Sequence, residues 1–413
     1  MKKIQLERGQ ALVMIAIALI VLVGILGLVI DGGNAFLDRR KAQNAADSAA
    51  LAASVVRIRG EGDWVAAALT AAANNGYDSD GVKNVVVVYS PPTDGPFAGN
   101  IEYIQVIITS HIDTYFAKVI GKSEVTNIVQ ATARSKPSEL KELLHGLAIV
   151  SLAPTSNCAN QKSFWIHGDA ALEINGGGVF VNSNNKDCAL IQQGNGSIHI
   201  GEGNQITVVG GASIQKPQLL TPGISIGSIP MNYPPPFFMP DANCDINDVA
   251  EVSEDGTSMS PGNWDDKFPP EGVTQLEPGI YCLNDGFEVN GNQALVGHDV
   301  SFKIKNGAVR FDATANIKID APDTGDYKGL LIYLPMENNS QVKLNGGAES
   351  SFIGTILAPA SEILINGNLS ATGFQSQIIG YRVEADGNSH VVIVYNNAQN
   401  YDAVTMPEVQ LSQ

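Results

Sequence analysis

The feature that most constrains this chain is a run of twenty uncharged residues near its N terminus. Residues 11–30 read ALVMIAIALIVLVGILGLVI and contain neither a charged residue nor a proline. At about 1.5 Å per helical residue the run is roughly 30 Å long, the hydrocarbon thickness of a bilayer. A cleaved secretory signal has a shorter apolar core, and helices buried in soluble proteins seldom stay apolar for this length. The run therefore predicts a transmembrane helix with the lipid bilayer as its partner.

The charges that flank this run predict its orientation. Lys2, Lys3 and Arg8 lie in residues 1–10, and the positive-inside rule places such a segment in the cytoplasm. The basic residues 39–41 weigh in the opposite direction, but long downstream domains are translocated largely regardless of charge. We therefore expect a single-pass protein of the cytoplasmic membrane, with its N terminus inside and its C-terminal domain outside, periplasmic or extracellular.

Residues 31–56 predict that the helix continues beyond the membrane, because they lack proline and are rich in alanine. Small side chains recur three or four residues apart on one face, at Ala42, Ala46, Ala50 and Ala53. Such a face allows a partner helix to approach closely, as small-xxx-small patterns do in membranes. It is equally typical of a helix that packs against its own domain, and the sequence leaves both interpretations open.

The same region carries a family pattern. Arg8-Gly9-Gln10 precedes the apolar run, Asp31 follows it directly, and residues 40–53 read RKAQNAADSAALAA. Together these elements resemble the N-terminal region of TadG-like Flp pilus-assembly proteins, with a weaker likeness as far as about Ala133. The resemblance implies a membrane-anchored accessory or structural component of the tight-adherence pilus machinery, without catalysis. It also implies that the N-terminal helix contacts pilus-assembly or other envelope proteins.

A small α/β domain is predicted at residues 57–134. Asp63 is a suitable N-cap and Gly76 a suitable end for a helix over 64–75. Residues 85–90, 101–110 and 125–133 have strand patterns, and 113–120 predicts a short helix between the last two. A helical linker at 135–146 is expected to lead into the next domain.

The remainder of the chain differs in charge. Residues 1–146 carry 14 basic and 14 acidic side chains, so the whole net charge of −17 comes from residues 147–413. Nucleic-acid partners are excluded for this part, because phosphate contacts need Lys and Arg, and Arg310 and Arg382 are the only arginines in it. Acidity of this kind favours solubility rather than any particular chemistry.

A four-residue pattern recurs through residues 147–396, in which two apolar residues flank a variable one and Asn, Asp or Gly follows. Residues 172–175 (LEIN), 179–182 (VFVN) and 287–290 (FEVN) are examples. Period-two apolar residues point inward, and Asn, Asp and Gly tolerate the corner that follows. The pattern predicts an all-β domain, a β-solenoid in the first instance, with a β-sandwich as the alternative. Residues 216–280 are expected to form a long insertion, and residues 397–413 a C-terminal tail.

Three stretches of this region carry a second resemblance: LEPGIY at 276–281, GTILAP at 354–359 and IIG at 378–380. They are similar to segments of bactofilin-like and pectin-lyase-like right-handed β-helices. The resemblance implies a right-handed solenoid and bears on fold rather than on function.

The four cysteines all lie beyond the apolar run, which predicts disulfides in an exported domain. Proximity in sequence favours Cys158–Cys188 and Cys244–Cys282. Their spacing matches no zinc motif. We expect no cofactor and no metal, apart from a weak likeness to a calcium loop at Asp241, Asn243 and Asp245.

Enzymatic activity is not expected, because nucleophile, metalloprotease and phosphate-loop motifs are absent from the sequence. A β-helix scaffold nevertheless suggests an alternative, a carbohydrate-binding or carbohydrate-degrading envelope protein. Arg310 with Asp312, and Lys318 with Asp320, would then supply the charged groups. Solvated charge ladders on neighbouring strands give the same pattern.

Overall fold

The computed structural model describes residues 8–412 except 242, 246, 346, 348, 367–372, 388 and 389, and for residues 8–11 the backbone alone. The chain divides into two compact units. Unit 1 comprises residues 1–139 and 406–413, and unit 2 comprises residues 140–405, so unit 2 is inserted within the chain of unit 1.

The α-helices are α1 (Arg8–Arg59) and α2 (Trp64–Asn74), and short 3-10 helices occur at Ala117–Ile120, Pro217–Leu219 and Asn397–Gln399. The first fourteen strands are β1 (Asn84–Tyr89), β2 (Tyr103–Asp113), β3 (Glu124–Lys136), β4 (Leu140–Glu142), β5 (Leu147–Ser151), β6 (Phe164–Ile166), β7 (Ala171–Asn175), β8 (Gly178–Val181), β9 (Leu190–Gln192), β10 (Ser197–Ile200), β11 (Ile206–Val208), β12 (Ala212–Ile214), β13 (Leu220–Thr221) and β14 (Ile224–Ile226). The others are β15 (Ser258–Met259), β16 (Gly262–Trp264), β17 (Gln275–Leu276), β18 (Gly279–Leu283), β19 (Phe287–Val289), β20 (Ala294–Gly297), β21 (Val300–Ile304), β22 (Val309–Phe311), β23 (Asn316–Asp320), β24 (Leu330–Tyr333), β25 (Val342–Leu344), β26 (Ser351–Ile365), β27 (Phe374–Ala385), β28 (His390–Val394), β29 (Asp402–Val404) and β30 (Glu408–Ser412).

Unit 1 is built on α1, a continuous helix of 52 residues that covers both the apolar run and the alanine-rich segment. Helix α2 begins where its cap predicts, since the Asp63 carboxylate accepts hydrogen bonds from the backbone N–H groups of Val65 and Ala66. An antiparallel sheet in the order β1-β2-β3-β30 packs against α1. The core between them combines the alanines of α1 and α2 with apolar side chains of β1–β3.

Of three expectations for the connecting segments, one holds in part and two were wrong. Residues 113–120 form a 3-10 helix only at Ala117–Ile120, and Asp113 still belongs to β2. Residues 135–146 contain no helix, because β3 runs on to Lys136 and β4 follows. Residues 397–413, expected to be a C-terminal tail, contribute paired strands instead: β29 pairs with β4, and β30 pairs with β3. The edge strand β3 therefore obtains its partner from the far end of the chain.

Unit 2 is a mostly β body, and its described residues form a large parallel sheet of 24 strands. Within β5–β14, and again within β17–β25, a strand pairs in parallel with the strand three positions later in the chain, as β7 does with β10 and β18 with β21. The apolar positions of the four-residue pattern point inward: Leu172 and Ile174 of β7 are buried, whereas Glu173 between them is partly exposed. Each set of three strands thus forms one layer that buries its apolar face against its neighbours.

The layers do not stack in sequence order. β26 pairs with β27, and β27 pairs on its other side with β5 and β6, while β28 pairs with β7. The layers of the second series therefore end on the first layer of the first series. In space the stack runs from β15 through β26 to β28, continues with β5 and ends at β14.

Residues 227–257 connect the two ends of this stack, which corrects the expected insertion at 216–280. The margins of the expected insertion are strands of the stack, β13–β14 before the connection and β15–β18 after it. Contacts of the connection follow the layers in spatial order: Met231 bonds to Asn182 beside β8, and the Tyr233 hydroxyl donates to the Pro359 carbonyl oxygen in β26. The connection is thus a return path along the stack.

Candidate functional site

The N-terminal part of α1 exposes its apolar side chains. From Leu12 to Ile30 the large apolar side chains are each between 48% and 73% exposed, on all faces of the helix. The same helix becomes buried on one side from Ala42 onward. The part of the chain that the structure describes holds one helix that is long and apolar enough to cross a bilayer, and its most apolar stretch of 18 residues has a mean hydropathy of 3.3. Its exposed apolar side chains, from Leu12 to Ile30, lie within the predicted transmembrane segment, residues 11–30.

The predicted helix-packing alanines lie in the core of unit 1. Ala42, Ala46, Ala50 and Ala53 have no exposed surface and belong to the cluster formed with α2 and the sheet. Their small side chains let the backbone of α1 approach the sheet closely. In the structure this face of α1 is covered by α2 and the sheet of unit 1.

Asp31 fixes the loop between β2 and β3, residues 114–123, to α1. Its buried carboxylate accepts hydrogen bonds from the backbone N–H groups of Tyr115 (3.0 Å), Phe116 (2.9 Å) and Ala117 (2.7 Å). These donors, Ala117 above all, lower the pKa of the Asp31 carboxyl against the opposing effect of burial. The carboxylate thus serves the loop as a helix cap, although it lies 84–86 residues away in sequence.

One helical turn before Asp31, the loop meets the predicted transmembrane segment. The Phe116 ring lies so close to Gly27 that a Cβ atom at this glycine would stand 2.5 Å from the ring. Only glycine leaves room for the ring against the helix. In contrast, a Cβ at Gly24, one turn earlier, meets nothing within 4 Å.

Asp38 forms a second polar junction two turns further along α1. Its carboxylate accepts hydrogen bonds from the Tyr77 hydroxyl (2.9 Å), the Ser110 hydroxyl (2.5 Å) and the Asn127 side-chain amide (2.9 Å). Burial, and then the hydrogen bond to Asp38, raise the pKa of Tyr77. Asp31 and Asp38 together attach the β2–β3 end of the sheet to the part of α1 that follows the apolar run.

Unit 2 contains both disulfides. Cys158 is bonded to Cys188, and Cys244 is bonded to Cys282. The first joins the segment after β5 to the segment before β9. The second ties the return path to β18 of the stack, which is consistent with a domain that folds in an oxidising compartment.

The weak calcium candidate forms local turns instead of a converging ligand set. Asp241 Oδ1 accepts hydrogen bonds from the backbone and side-chain amides of Asn243, and Asp245 Oδ1 does the same for Asn247. The two hydrogen bonds from Asn243, first that of its backbone N–H, lower the pKa of the Asp241 carboxyl. Among the described residues, neither Asp241 nor Asp245 belongs to a cluster of three or more His, Cys, Asp or Glu side chains that could share one ion.

The charged residues considered for carbohydrate chemistry interact between neighbouring strands. Arg310 lies 3.7 Å from Glu288, and Lys318 lies 3.9 Å from Glu349. Asp312 accepts a hydrogen bond from the Gly291 N–H. Asp320 accepts one from the Asp299 N–H and lies 2.6 Å from a His298 ring nitrogen.

A cluster that the sequence did not predict lies where β27 pairs with β6. His167 Nε2 is 2.9 Å from Glu384 Oε1, and His167 Nδ1 is 3.1 Å from Asp386 Oδ1. The three side chains offer ligand atoms within 4.8 Å of one another, a nitrogen and oxygen donor set that suits zinc. Because 217 residues separate His167 from Glu384, local spacing carries no signal for this cluster.

A family model matches the N-terminal part of the chain. Residues 9–74 match the Tad family model, Flp pilus-assembly TadE/G-like, and this match covers the apolar run, the alanine-rich part of α1 and α2. The match supports a role in Flp pilus assembly. No curated protein and no solved structure matches the chain significantly.

Proposed function

We propose that this chain is a single-pass membrane protein that serves as an accessory or structural component of Flp pilus assembly. Residues 11–30 would span the cytoplasmic membrane, with the N terminus inside and both units outside. The family match over residues 9–74 supports the biological setting. The observation that carries the membrane assignment is the contrast along α1, which is exposed and apolar before Asp31 and packed from Ala42 onward.

Physical chemistry supports the assignment of the exposed part of α1 to lipid. Each large apolar side chain left in water costs about 1.5–3 kcal/mol relative to a buried one. Fifteen such side chains between Leu12 and Ile30 are exposed, and they surround the helix rather than forming one stripe. A bilayer removes all of them from water at once, whereas a single protein partner covers one face.

The orientation rests on two independent features. Lys2, Lys3 and Arg8 precede the span and favour a cytoplasmic N terminus. The two disulfides of unit 2 favour an oxidising compartment for the C-terminal side.

We propose further that unit 2 is a right-handed β-solenoid with three strands per layer. The parallel pairing of strands three apart supports this architecture over a β-sandwich, whose sheets are antiparallel. Right-handed connections between parallel strands are by far the commonest. The charged side chains on its outer face interact with one another, and we propose a non-enzymatic, structural role for this acidic surface.

Fractionation of the full chain tests the proposal. We expect the full chain to resist carbonate extraction from membranes and to support piliation of the host. A variant lacking residues 11–30 should be released from membranes and should not support piliation. A matched control replaces residues 11–30 with an unrelated apolar segment of the same length, which should restore membrane retention. Extraction of the intact chain by carbonate would overturn the anchor, and normal piliation of the deletion variant would overturn the pilus role.

A further inference from the structure

We propose that the loop of residues 114–123 is a second membrane contact, which seats unit 1 on the outer surface of the bilayer that α1 crosses. Its apolar tip would enter the headgroup region, and its two lysines would face lipid phosphates. This inference rests on the proposed function, because it takes residues 11–30 to be the span.

The position of the loop along α1 gives its depth. The Asp31 carboxylate holds the backbone of Tyr115, Phe116 and Ala117 directly at the end of the span. The Phe116 ring packs on Gly27, which lies within the span, four residues or about 6 Å of helix rise before Asp31. When residues 11–30 occupy the hydrocarbon core, these contacts with Asp31 and Gly27 therefore place the loop at the lipid interface.

The side chains that the loop presents match this environment. Tyr115 is 72% exposed, Val119 87% and Ile120 72%, and none of the three contributes to the core of unit 1. Lys118 and Lys122 are exposed beside them. Tyrosine at the headgroup level, short apolar residues just below it and lysines toward anionic phosphates form the usual composition of an interfacial anchor.

The attachment of the loop to the helix favours lipid over a protein partner for this surface. The ring of Phe116 and the cap at Asp31 leave the loop at a fixed place beside the span, where lipid surrounds the helix. Phe36 and Leu37 of α1, one to two turns beyond Asp31, are also exposed and extend the apolar surface at the same end of unit 1. A bilayer surface covers all of these side chains together.

A fluorescent probe of membrane depth tests the inference. All four native cysteines are in disulfides, so Val119→Cys introduces a single thiol that can be labelled with an environment-sensitive dye. The full chain would be reconstituted into vesicles of phosphatidylcholine and phosphatidylglycerol. We expect a blue-shifted emission at position 119 and strong quenching by lipids brominated near the headgroup.

Ile101→Cys is the matched control. Ile101 is another exposed apolar residue of unit 1, at 68%, and its carbonyl oxygen accepts a hydrogen bond from Arg57. Arg57 follows Asp31 by 26 residues of α1, about 39 Å of helix rise, so this position lies far from the lipid. We expect the probe at 101 to keep the emission it has in water and to escape quenching.

The outcomes separate the two proposals. A chain that does not float with the vesicles overturns the membrane anchor and this inference with it. A chain that floats while the probe at 119 stays in water overturns the loop contact and leaves the anchor intact. Equal quenching at 119 and 101 also overturns the inference, because unit 1 would then lie on the bilayer without a preferred end.

Discussion

The carboxylate of Asp31 accepts a hydrogen bond from the backbone N–H of Ala117 over 2.7 Å, and this bond joins α1 to a loop 86 residues further along the chain. Two more N–H groups of the loop share the same carboxylate. Asp31, which directly follows the apolar run, thus also positions the loop of residues 114–123 beside the end of that run.

Replacing Asp31 with alanine should therefore loosen the loop at residues 114–123. The three N–H groups would lose their common acceptor, and Lys118 and Lys122 would become better sites for trypsin. We expect faster cleavage after these lysines in Asp31→Ala than in the unchanged protein, measured by mass spectrometry of short digests. Asp113→Ala removes a similar charge next to the loop and should leave the rate unchanged. Equal rates in all three proteins would contradict the capping role.

Gly27 offers a test in which the apolar character of the span is kept. Leucine at this position would displace the Phe116 ring, because the ring already occupies the place of its Cβ. We expect Gly27→Leu to destabilise the loop contact by about 1–3 kcal/mol and to raise hydrogen exchange over residues 114–123. Gly24→Leu, whose Cβ would meet nothing within 4 Å, is the matched control and should leave exchange as it is. An unchanged exchange rate in Gly27→Leu would argue against the packing.

The stability contributed by the turn before β1 should depend on pH through the Asp80 carboxylate. This carboxylate accepts hydrogen bonds from the backbone N–H groups of Asn84, Val82 and Lys83. These hydrogen bonds lower the pKa of Asp80 below the ordinary 3.8, and the bond from Asn84 has the largest effect. A carboxyl whose folded pKa is depressed contributes its full stability above 3.8 and loses it as the pH falls through the folded value. Asp80→Asn should therefore lower the melting temperature near neutral pH, and the difference should shrink in acid. A difference in melting temperature that stays constant as the pH falls below 3.8 would show that the Asp80 carboxylate does not stabilise this turn.

Local pattern predicted the parts of the fold that local physics determines. A few neighbouring residues are enough to predict the uncharged run at residues 11–30 and the N-cap at Asp63. They are also enough to predict that Leu172 and Ile174 point inward. The stacking order of unit 2 does not. Every layer presents a similar apolar face, so the pattern states which side chains point inward but not which layer receives them.

The same limit applies to the contacts that define the candidate site. Asp31 has no sequence neighbour that would identify the loop it caps, and the pairing of Glu384 with Trp165 creates the His167 cluster across the junction of two distant strands. The alanine face illustrates a different limit. Its spacing fits a partner helix and the chain's own sheet equally well, and only the fold decides between them.

The Cys244–Cys282 bond should stabilise unit 2 by anchoring the return path. It closes 38 residues, for which loop-closure entropy gives about 3–4 kcal/mol. We expect the double variant Cys244→Ser/Cys282→Ser to lose an amount of this order in urea unfolding and to show faster hydrogen exchange around residues 243–249. Cys158→Ser/Cys188→Ser, which opens a loop of 30 residues, should lose similar stability without that local change. The same exchange pattern in both variants would mean that the bond does not hold the return path.

Engineered disulfides can decide the stacking order of unit 2. Ala171 in β7 pairs in parallel with His390 in β28, so their Cα atoms lie at the spacing of neighbouring strands, about 4.8 Å, which a disulfide can bridge. We expect Ala171→Cys/His390→Cys to cross-link on mild oxidation and to change mobility on a non-reducing gel. A stack in simple sequence order would place β14 next to β15, and it predicts a cross-link in Ser225→Cys/Ser258→Cys instead. In the observed order these strands lie at opposite ends, so the second pair should stay reduced. Cross-linking of the second pair and not the first would overturn the observed order, because it requires the return path to be an insertion between consecutive layers.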